Sequence, residues 1–410
     1  MSDRAPLAPP RFPDLPDISG LVLSSGHCGI RTPGRRDLLI ASLPGAAGAA
    51  VRLTRSRTAS PAVLWCKRIR RRRRARALVV NSGNANAFTG QPGRAAVRAT
   101  AEAVAGAVGC RAHDVYVAST GVIGEPLPLP QILDAIPAIA SGAGDTGWEA
   151  AAEAIMTTDT FPKGAGAETR IDGRTVHIGG IAKGSGMIAP DMGTMLAFVF
   201  TDADLPGSVL DELLGPLTDR TFNSITVDSD TSTSDTCALF ATRRTPAETP
   251  VESADDPRLD AFREALEGVM GDLARQIVRD GEGATKLVTV TVRDAARPAH
   301  ARAVAFAIAN SPLVKTAVAG EDANWGRIVM AVGKAGVPVN AERVGISIGG
   351  IPVARGGSVV AGYDEAPVAR HMQGPEISLE VSLGVGTEQA TVWTCDLTHG
   401  YIAINADYRS

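Results

Sequence analysis

Two stretches in the C-terminal third alternate strictly between apolar and polar residues: Val288-Thr289-Val290-Thr291-Val292 and Ile377-Ser378-Leu379-Glu380-Val381. A period of two puts every apolar side chain of a strand on one face. Both stretches are therefore expected as strands buried on one side, the habit of antiparallel sheets. Helices stand against them. Residues 261–278 place Phe262, Leu266, Val269, Met270, Leu273 and Ile277 on one helical face. Residues 94–108 and 146–156 read as further helices. One-sided strands mixed with one-sided helices predict layered α/β sandwiches and disfavour a doubly wound parallel sheet. The 410-residue chain carries 44 glycines but only 4% aromatics, so its layers are expected to close by backbone approach. No unit of 20–50 residues recurs along the chain.

Composition also excludes classes of function. A net charge of −3 and a pI of about 6.1 rule out a whole-chain polyanion binder. No apolar run approaches the roughly 18–20 residues of a membrane helix, so no membrane association is expected. The N-terminal MSDRAPLAPPRFPDLPD is Pro-rich and lacks an apolar signal core, so a cytoplasmic protein is expected. Cys28, Cys66, Cys110, Cys237 and Cys395 are odd in number and scattered, which argues against a disulfide framework. Neither CxxC nor HExxH occurs, so no metal site is expected. The run KRIRRRRRAR at Lys67–Arg76 is the one feature that suggests nucleic acid. With no second basic stretch or interleaved aromatics, a solvated loop between two strands is favoured, and no nucleic-acid partner is expected. The expected organisation is a mobile Pro-rich arm at 1–18, a main domain at 19–285 and a smaller α/β domain at 286–410.

Four polar, Gly-rich segments sit beside strong strand patterns. Asn81, Asn84 and Asn86 lie in VNSGNANA, where asparagine suits left-handed turns or amide donation; a plain strand-ending loop explains them equally well. Thr120-Gly121 follows a strand and can aim a hydroxyl and a backbone N–H at one spot, as an oxyanion needs; a tight turn would look the same. Lys183-Gly184-Ser185-Gly186 lacks the GxxxxGK[ST] order of a phosphate loop, and Pro190 obstructs the helix that a dinucleotide fold requires. Further along that segment, Thr194 follows Gly193 and opens an apolar strand. It is either an ordinary β-former or, once the Gly193–Thr194 bond is cut, an N-terminal nucleophile whose freed amine serves as its base. Finally, Glu282 sits between Gly281 and Gly283, where a carboxylate can meet a substrate ammonium; a charged helix-to-strand turn is the plainer alternative.

These segments resemble the ornithine acetyltransferase (glutamate N-acetyltransferase) family of arginine biosynthesis. The motifs are VNSGNANAFTG at 80–90, STGVIGEPLP at 119–128, AIMTTDTFPK at 154–163 and GIAKGSGMIAPDMGTMLAFVFTDA at 180–203. They continue with VDSDTSTSDT at 227–236, DGEGATK at 280–286, NSPLVKTA at 310–317, NWGRI at 324–328 and YIAINADYRS at 401–410. The resemblance implies a four-layer αββα sandwich with a second, smaller α/β domain. It implies self-cleavage between Gly193 and Thr194, Thr194 as the acyl-accepting nucleophile, and Thr120 and Gly121 as the oxyanion hole. It assigns substrate binding to Thr157, Lys183, Thr194, Glu282, Asn405 and Ser410, the last two on a terminal strand returning to the site. The implied reaction moves acetyl from N-acetylornithine to glutamate by a ping-pong route. The implied assembly is α2β2, with α and β chains from one precursor. No cofactor is implied, although acetyl-CoA is a candidate co-substrate.

The sequence departs from the family pattern in places. Gly193 stands where Ala is usual, Asp191 where Asn is usual, and Ser410 replaces a terminal Thr. The segment ISGLVLSSGHCGIRTPGRRDLL and the Arg-rich run are also unusual. Those changes keep alternatives open: a self-cleaving amidohydrolase or aminopeptidase, or an acyltransferase of secondary metabolism.

Overall fold

The computed structural model describes residues 4–31, 34–142, 144–189 and 195–406. They divide into two compact units. The larger comprises Pro10–Asn223 and Asp230–Ile277; the smaller holds Ser224–Ser229, Val278–Ser410 and the residues before Pro10.

In the larger unit, the strands in chain order are β1 (Val22–Gly26), β2 (Leu38–Leu53), β3 (Arg74–Asn84), β4 (Val115–Val122), β5 (Asp145–Thr146), β6 (Lys163–Ile171), β7 (Arg174–Lys183), β8 (Leu196–Ala203) and β9 (Thr236–Thr245). They form one sheet of order β4-β3-β2-β9-β8-β7-β6, with β1 beside β2 and β5 beside β1. The helices are α1 (Pro61–Ile69), α2 (Gly90–Val108), α3 (Leu129–Ala140), α4 (Trp148–Ile155), α5 (Gly207–Arg220) and α6 (Asp260–Arg279). The six residues predicted to face inward from α6 are all buried. The 16-residue β2 shifts register between Ser42 and Ala47, where Pro44 cannot donate to the ladder and Gly45 turns at φ +110°.

The smaller unit carries β10 (Leu287–Ala295), β11 (Gly345–Ile348), β12 (Ile351–Arg355), β13 (Ser358–Val359), β14 (Glu376–Ser382) and β15 (Glu388–Cys395), ordered β13-β12-β11-β14-β10-β15. Its helices are α7 (Pro298–Ala309), α8 (Pro312–Ala319), α9 (Trp325–Gly333), α10 (Glu365–Met372) and α11 (His399–Ala406). Val288, Val290 and Val292 are buried with Ile377, Leu379 and Val381 in one core, as the alternation predicts. The α/β sandwich class with a smaller α/β unit holds.

Four expectations need correction. First, β10 and β14 pair in parallel, Val288 opposite Ile377, and only β15 runs antiparallel to β10. Alternation reports a one-sided burial and carries no information on a neighbour's direction. Second, residues 10–18 are not a mobile arm. Phe12 and Pro16 lie where Cβ atoms added to Gly164 and Gly166 of β6 would come within 2.4 and 2.5 Å, and the Trp148 indole donates to the Pro16 carbonyl at 3.1 Å. Third, the basic run is no loop. It spans the end of α1, a 3-10 turn at Arg70–Arg72 and the start of β3. Arg72 and Arg74 pair with Asp114 at 3.2 and 3.0 Å, and Arg68 stacks over Trp65. Fourth, the smaller unit begins at Val278 rather than 286, because residues of that unit hold the Glu282 loop. Asp396 accepts from the Thr285 and Lys286 amides at 2.8 and 3.0 Å, and Thr398 donates to the Gly283 carbonyl at 2.6 Å.

Candidate active site

In the larger unit the site is built where neighbouring strands end. β3 and β4 run in parallel with Ser82 opposite Thr120 and Gly83 opposite Gly121. The asparagines of VNSGNANA serve this corner. Asn81 donates to the Asn84 carbonyl at 2.8 Å and accepts from Ser119 at 2.6 Å. Asn84 accepts the Asn86 amide at 2.7 Å, and Asn86, at φ +47°, donates to Gly93 at 3.1 Å. Asn81 and Asn84 thus lie within β3, and the left-handed Asn86 and the donating amides fit the turn reading of the segment better than a plain loop.

Thr120 is buried beside Gly121, whose φ is +130°. A Cβ at Gly121 would sit 2.2 Å from the carbonyl carbon of Gly83. Both conformation and space therefore demand glycine. Gly121→Ala should cost about 3 kcal/mol or more and displace Thr120. Urea unfolding checks this; an unchanged midpoint would refute the packing argument.

Lys183 ends β7. Its ammonium donates to the Thr157 hydroxyl at 2.7 Å and to the Thr120 hydroxyl at 3.4 Å. A hydroxyl that accepts from a cation keeps its own proton to donate elsewhere. Behind Lys183 lies Asp159, which accepts from Lys163 at 2.7 Å and from the amides of Gly184 and Thr157 at 2.6 and 2.9 Å. The Lys183 ammonium is 3.9 Å from the same carboxylate. Burial alone would raise the Asp159 carboxyl; Lys163 and Lys183, with these hydrogen bonds, outweigh it and hold the group below its ordinary range. Arg31 fixes the loop from the other side, donating to the Met156 and Thr157 carbonyls at 2.6 and 3.0 Å.

Sequence reasoning missed Asp159, Lys163 and Arg31 as parts of this cluster. A signal existed for the first two. They stand four apart, but Pro162 between them forbids a helix, so the pair cannot be an ordinary exposed helical ion pair. Arg31 lies in a segment that departs from the family pattern, and its spacing carries no signal.

The Gly-rich segment after Lys183 joins β7 to its antiparallel neighbour β8, with Lys183 opposite Leu196. Asp191, Gly193 and Thr194 lie outside the described residues, and so does Ser410. Immediately beyond Thr194, the Met195 amide donates to the side chain of Asp235 at 3.0 Å.

In the smaller unit, Glu282 and Asn405 come together: the Asn405 amide donates to the Glu282 carboxylate at 2.9 Å. Gly283, at φ +72°, lets residues 400–401 approach so closely that an added Cβ would lie 2.3 Å from the Tyr401 nitrogen. The glycine beside Glu282 thus admits the chain's own helix α11. The expected terminal strand is this helix, His399–Ala406. Among the described residues, no group of three or more His, Cys, Asp or Glu could hold a metal ion, and no helix is long and apolar enough to cross a membrane.

Comparison with known proteins covers nearly all of these elements. A model of the ArgJ family matches residues 22–410. The arginine biosynthesis bifunctional protein ArgJ of Gluconobacter oxydans is 54% identical over 408 residues, 99% of this chain and 95% of its own. The protein of that name from Bradyrhizobium diazoefficiens is 51% identical over 411 residues, with both chains covered in full. The crystal structure of the Bacillus halodurans ArgJ protein, 41% identical, matches 52% of this chain and 99% of its own with a TM-score of 0.50. The residues that build the Thr120 corner, the Lys183 cluster and the Glu282 loop all fall within the matched span, and the chain belongs to the ArgJ family.

Proposed function

We propose that this enzyme moves the acetyl group of N2-acetyl-L-ornithine to L-glutamate through an acetyl ester on Thr194, giving L-ornithine and N-acetyl-L-glutamate in arginine biosynthesis. Family membership supports the reaction and does not favour the hydrolase or secondary-metabolite alternatives. The single observation that carries the site assignment is Lys183. It is buried, it holds the hydroxyls of Thr120 and Thr157, and the β7–β8 pairing sets it opposite Leu196, two residues past Thr194.

On this reading, cleavage frees the Thr194 amine, which takes the proton of its own hydroxyl as that oxygen attacks the acetyl carbonyl. Thr120, with its proton turned away from Lys183, and the Gly121 amide stabilise the tetrahedral oxyanion; one such donor lowers a barrier by about 2.7–4 kcal/mol. Lys183 and Thr157 hold a carboxylate of the amino-acid substrate. Glu282 meets an ammonium, and Asn405 and Ser410 complete the substrate contacts. Ornithine leaves, glutamate enters, and the ester passes its acetyl group on. The proposal includes cytoplasmic α2β2 assembly, no metal or redox cofactor, and acetyl-CoA as an additional donor. A chain starting at Thr194 would make up just over half of this sequence, which fits the 52% share matched by the Bacillus halodurans chain.

Initial-rate kinetics test the reading. With N-acetylornithine varied at several glutamate concentrations, double-reciprocal plots should be parallel, and enzyme given donor alone should carry acetyl on the peptide that begins at Thr194. Intersecting lines without acetyl-enzyme would exclude the ester route. Free acetate formed at the same rate without glutamate would assign a hydrolase instead.

A further inference from the structure

One buried acid beside the cleavage point has no part in the mechanism above. Asp235, fully buried, precedes β9. One oxygen, Oδ1, accepts the Met195 amide at 3.0 Å, and the next amide, of Thr236, donates to the Met195 carbonyl at 3.1 Å. The Thr54 amide holds the Asp235 carbonyl at 3.1 Å. The other side-chain oxygen, Oδ2, is buried and has no hydrogen-bond partner among the described residues. A buried carboxylate oxygen left bare is unfavourable, whereas a neutral acid there keeps a proton to give. Burial pushes the Asp235 carboxyl well above the ordinary range. The Met195 amide, the hydroxyls of Thr54 and Ser232, and the Lys183 ammonium offset this only in part.

Met195 nitrogen is bonded to the carbonyl carbon of Thr194, and the α-nitrogen of Thr194 is three bonds away, so the two nitrogens lie within about 4 Å of each other at any torsion. We propose that Asp235 is the acid of self-cleavage: Oδ1 fixes the chain through the Met195 amide, and Oδ2 protonates the α-nitrogen of Thr194 as the Gly193–Thr194 bond breaks. This rests on the reading of Thr194 as the cleavage nucleophile. The Thr194 oxygen bonds to the Gly193 carbonyl carbon and loses its proton to water. The carbon–nitrogen bond breaks, and the nitrogen takes the Asp235 proton. Asp235 recovers a proton from water. A second water then hydrolyses the ester, leaving a Gly193 carboxylate and a free Thr194 hydroxyl.

The test follows cleavage of the full chain after cell-free synthesis, by intact mass, across pH. The wild-type rate should fall at high pH as the acid loses its proton. Asp235→Asn, which keeps the Met195 contact, should cut more slowly by on the order of 10²–10⁴-fold and lack that limb. Asp235→Glu should restore part of the rate. Hydroxylamine, which traps esters, should not rescue the Asn variant, because the ester never forms. A wild-type rate in the Asn variant, its full rescue by hydroxylamine, or a flat wild-type profile would overturn the proposal. Should the Asn variant melt far below wild type, the Glu variant and the wild-type profile decide. A wild-type chain that never cuts overturns the Thr194 reading itself; a cutting wild type with an equally fast Asn variant overturns only this assignment.

Discussion

Replacing Thr194 by alanine should leave one 42.4 kDa chain with no measurable acetyl transfer, where the wild type should give two chains of roughly 20 and 22 kDa. Both outcomes follow from a single hydroxyl doing two jobs. On the proposed mechanism it attacks the Gly193 carbonyl once, to free the chain end, and the acetyl carbonyl in every turnover. Removing a covalent nucleophile commonly lowers turnover by about 10⁴-fold or more. Thr194→Ser keeps the hydroxyl and should still cut and transfer. On the same proposal the base is the freed α-amine; such amines ordinarily titrate near pKa 7.7–8.0, so kcat/KM should fall as pH drops through about that range. Denaturing mass spectrometry, with the second chain sequenced from its first residue, is the decisive measurement. A Thr194→Ala chain that still cuts, or still transfers acetyl, would sink the nucleophile assignment. Gly193→Ala, which installs the usual family residue, should change only the rate of cutting.

The proposed roles of Thr194, Thr120, Lys183 and Glu282 are legible in the sequence only through the family's motifs. The cluster that supports Lys183 is not. Pro162 between Asp159 and Lys163 excludes a helical ion pair, but only the fold shows that both side chains are buried, with Asp159 accepting the Gly184 amide and the Lys163 ammonium. The fold divides in the same way. Val288, Val290 and Val292 announced a one-sided strand, since burial has a period that residues record. The direction of β14 beside them leaves no such record, because parallel and antiparallel neighbours offer the same apolar face. The arginine run, expected as a solvated loop, is tied down for a reason of the same kind. Composition counts charges, whereas Arg72 and Arg74 share one aspartate, Asp114, 42 and 40 positions away.

The second large effect belongs to Asp159. Asp159→Asn removes a carboxylate that lies within 4 Å of two buried ammoniums, those of Lys163 and Lys183. Breaking a buried pair from one side typically costs 3–5 kcal/mol, because the remaining charge stays buried; for a unit of this size that is a fall of roughly 6–20 °C in melting temperature. The pH dependence separates lost charge from lost hydrogen bonds. In the wild type the Asp159 carboxyl is held below its ordinary value. Its contribution is therefore complete above about pH 3.9 and disappears as pH falls through the lower folded value. Wild type and variant should differ most near neutrality and converge in acid. A variant that loses the same stability at every pH would show that hydrogen bonding alone holds the cluster. Adding Lys163→Met to Asp159→Asn sharpens the point. If unpaired charge is the cause, the double variant is more stable than the single one; if the acceptor is the cause, removing a second donor changes little.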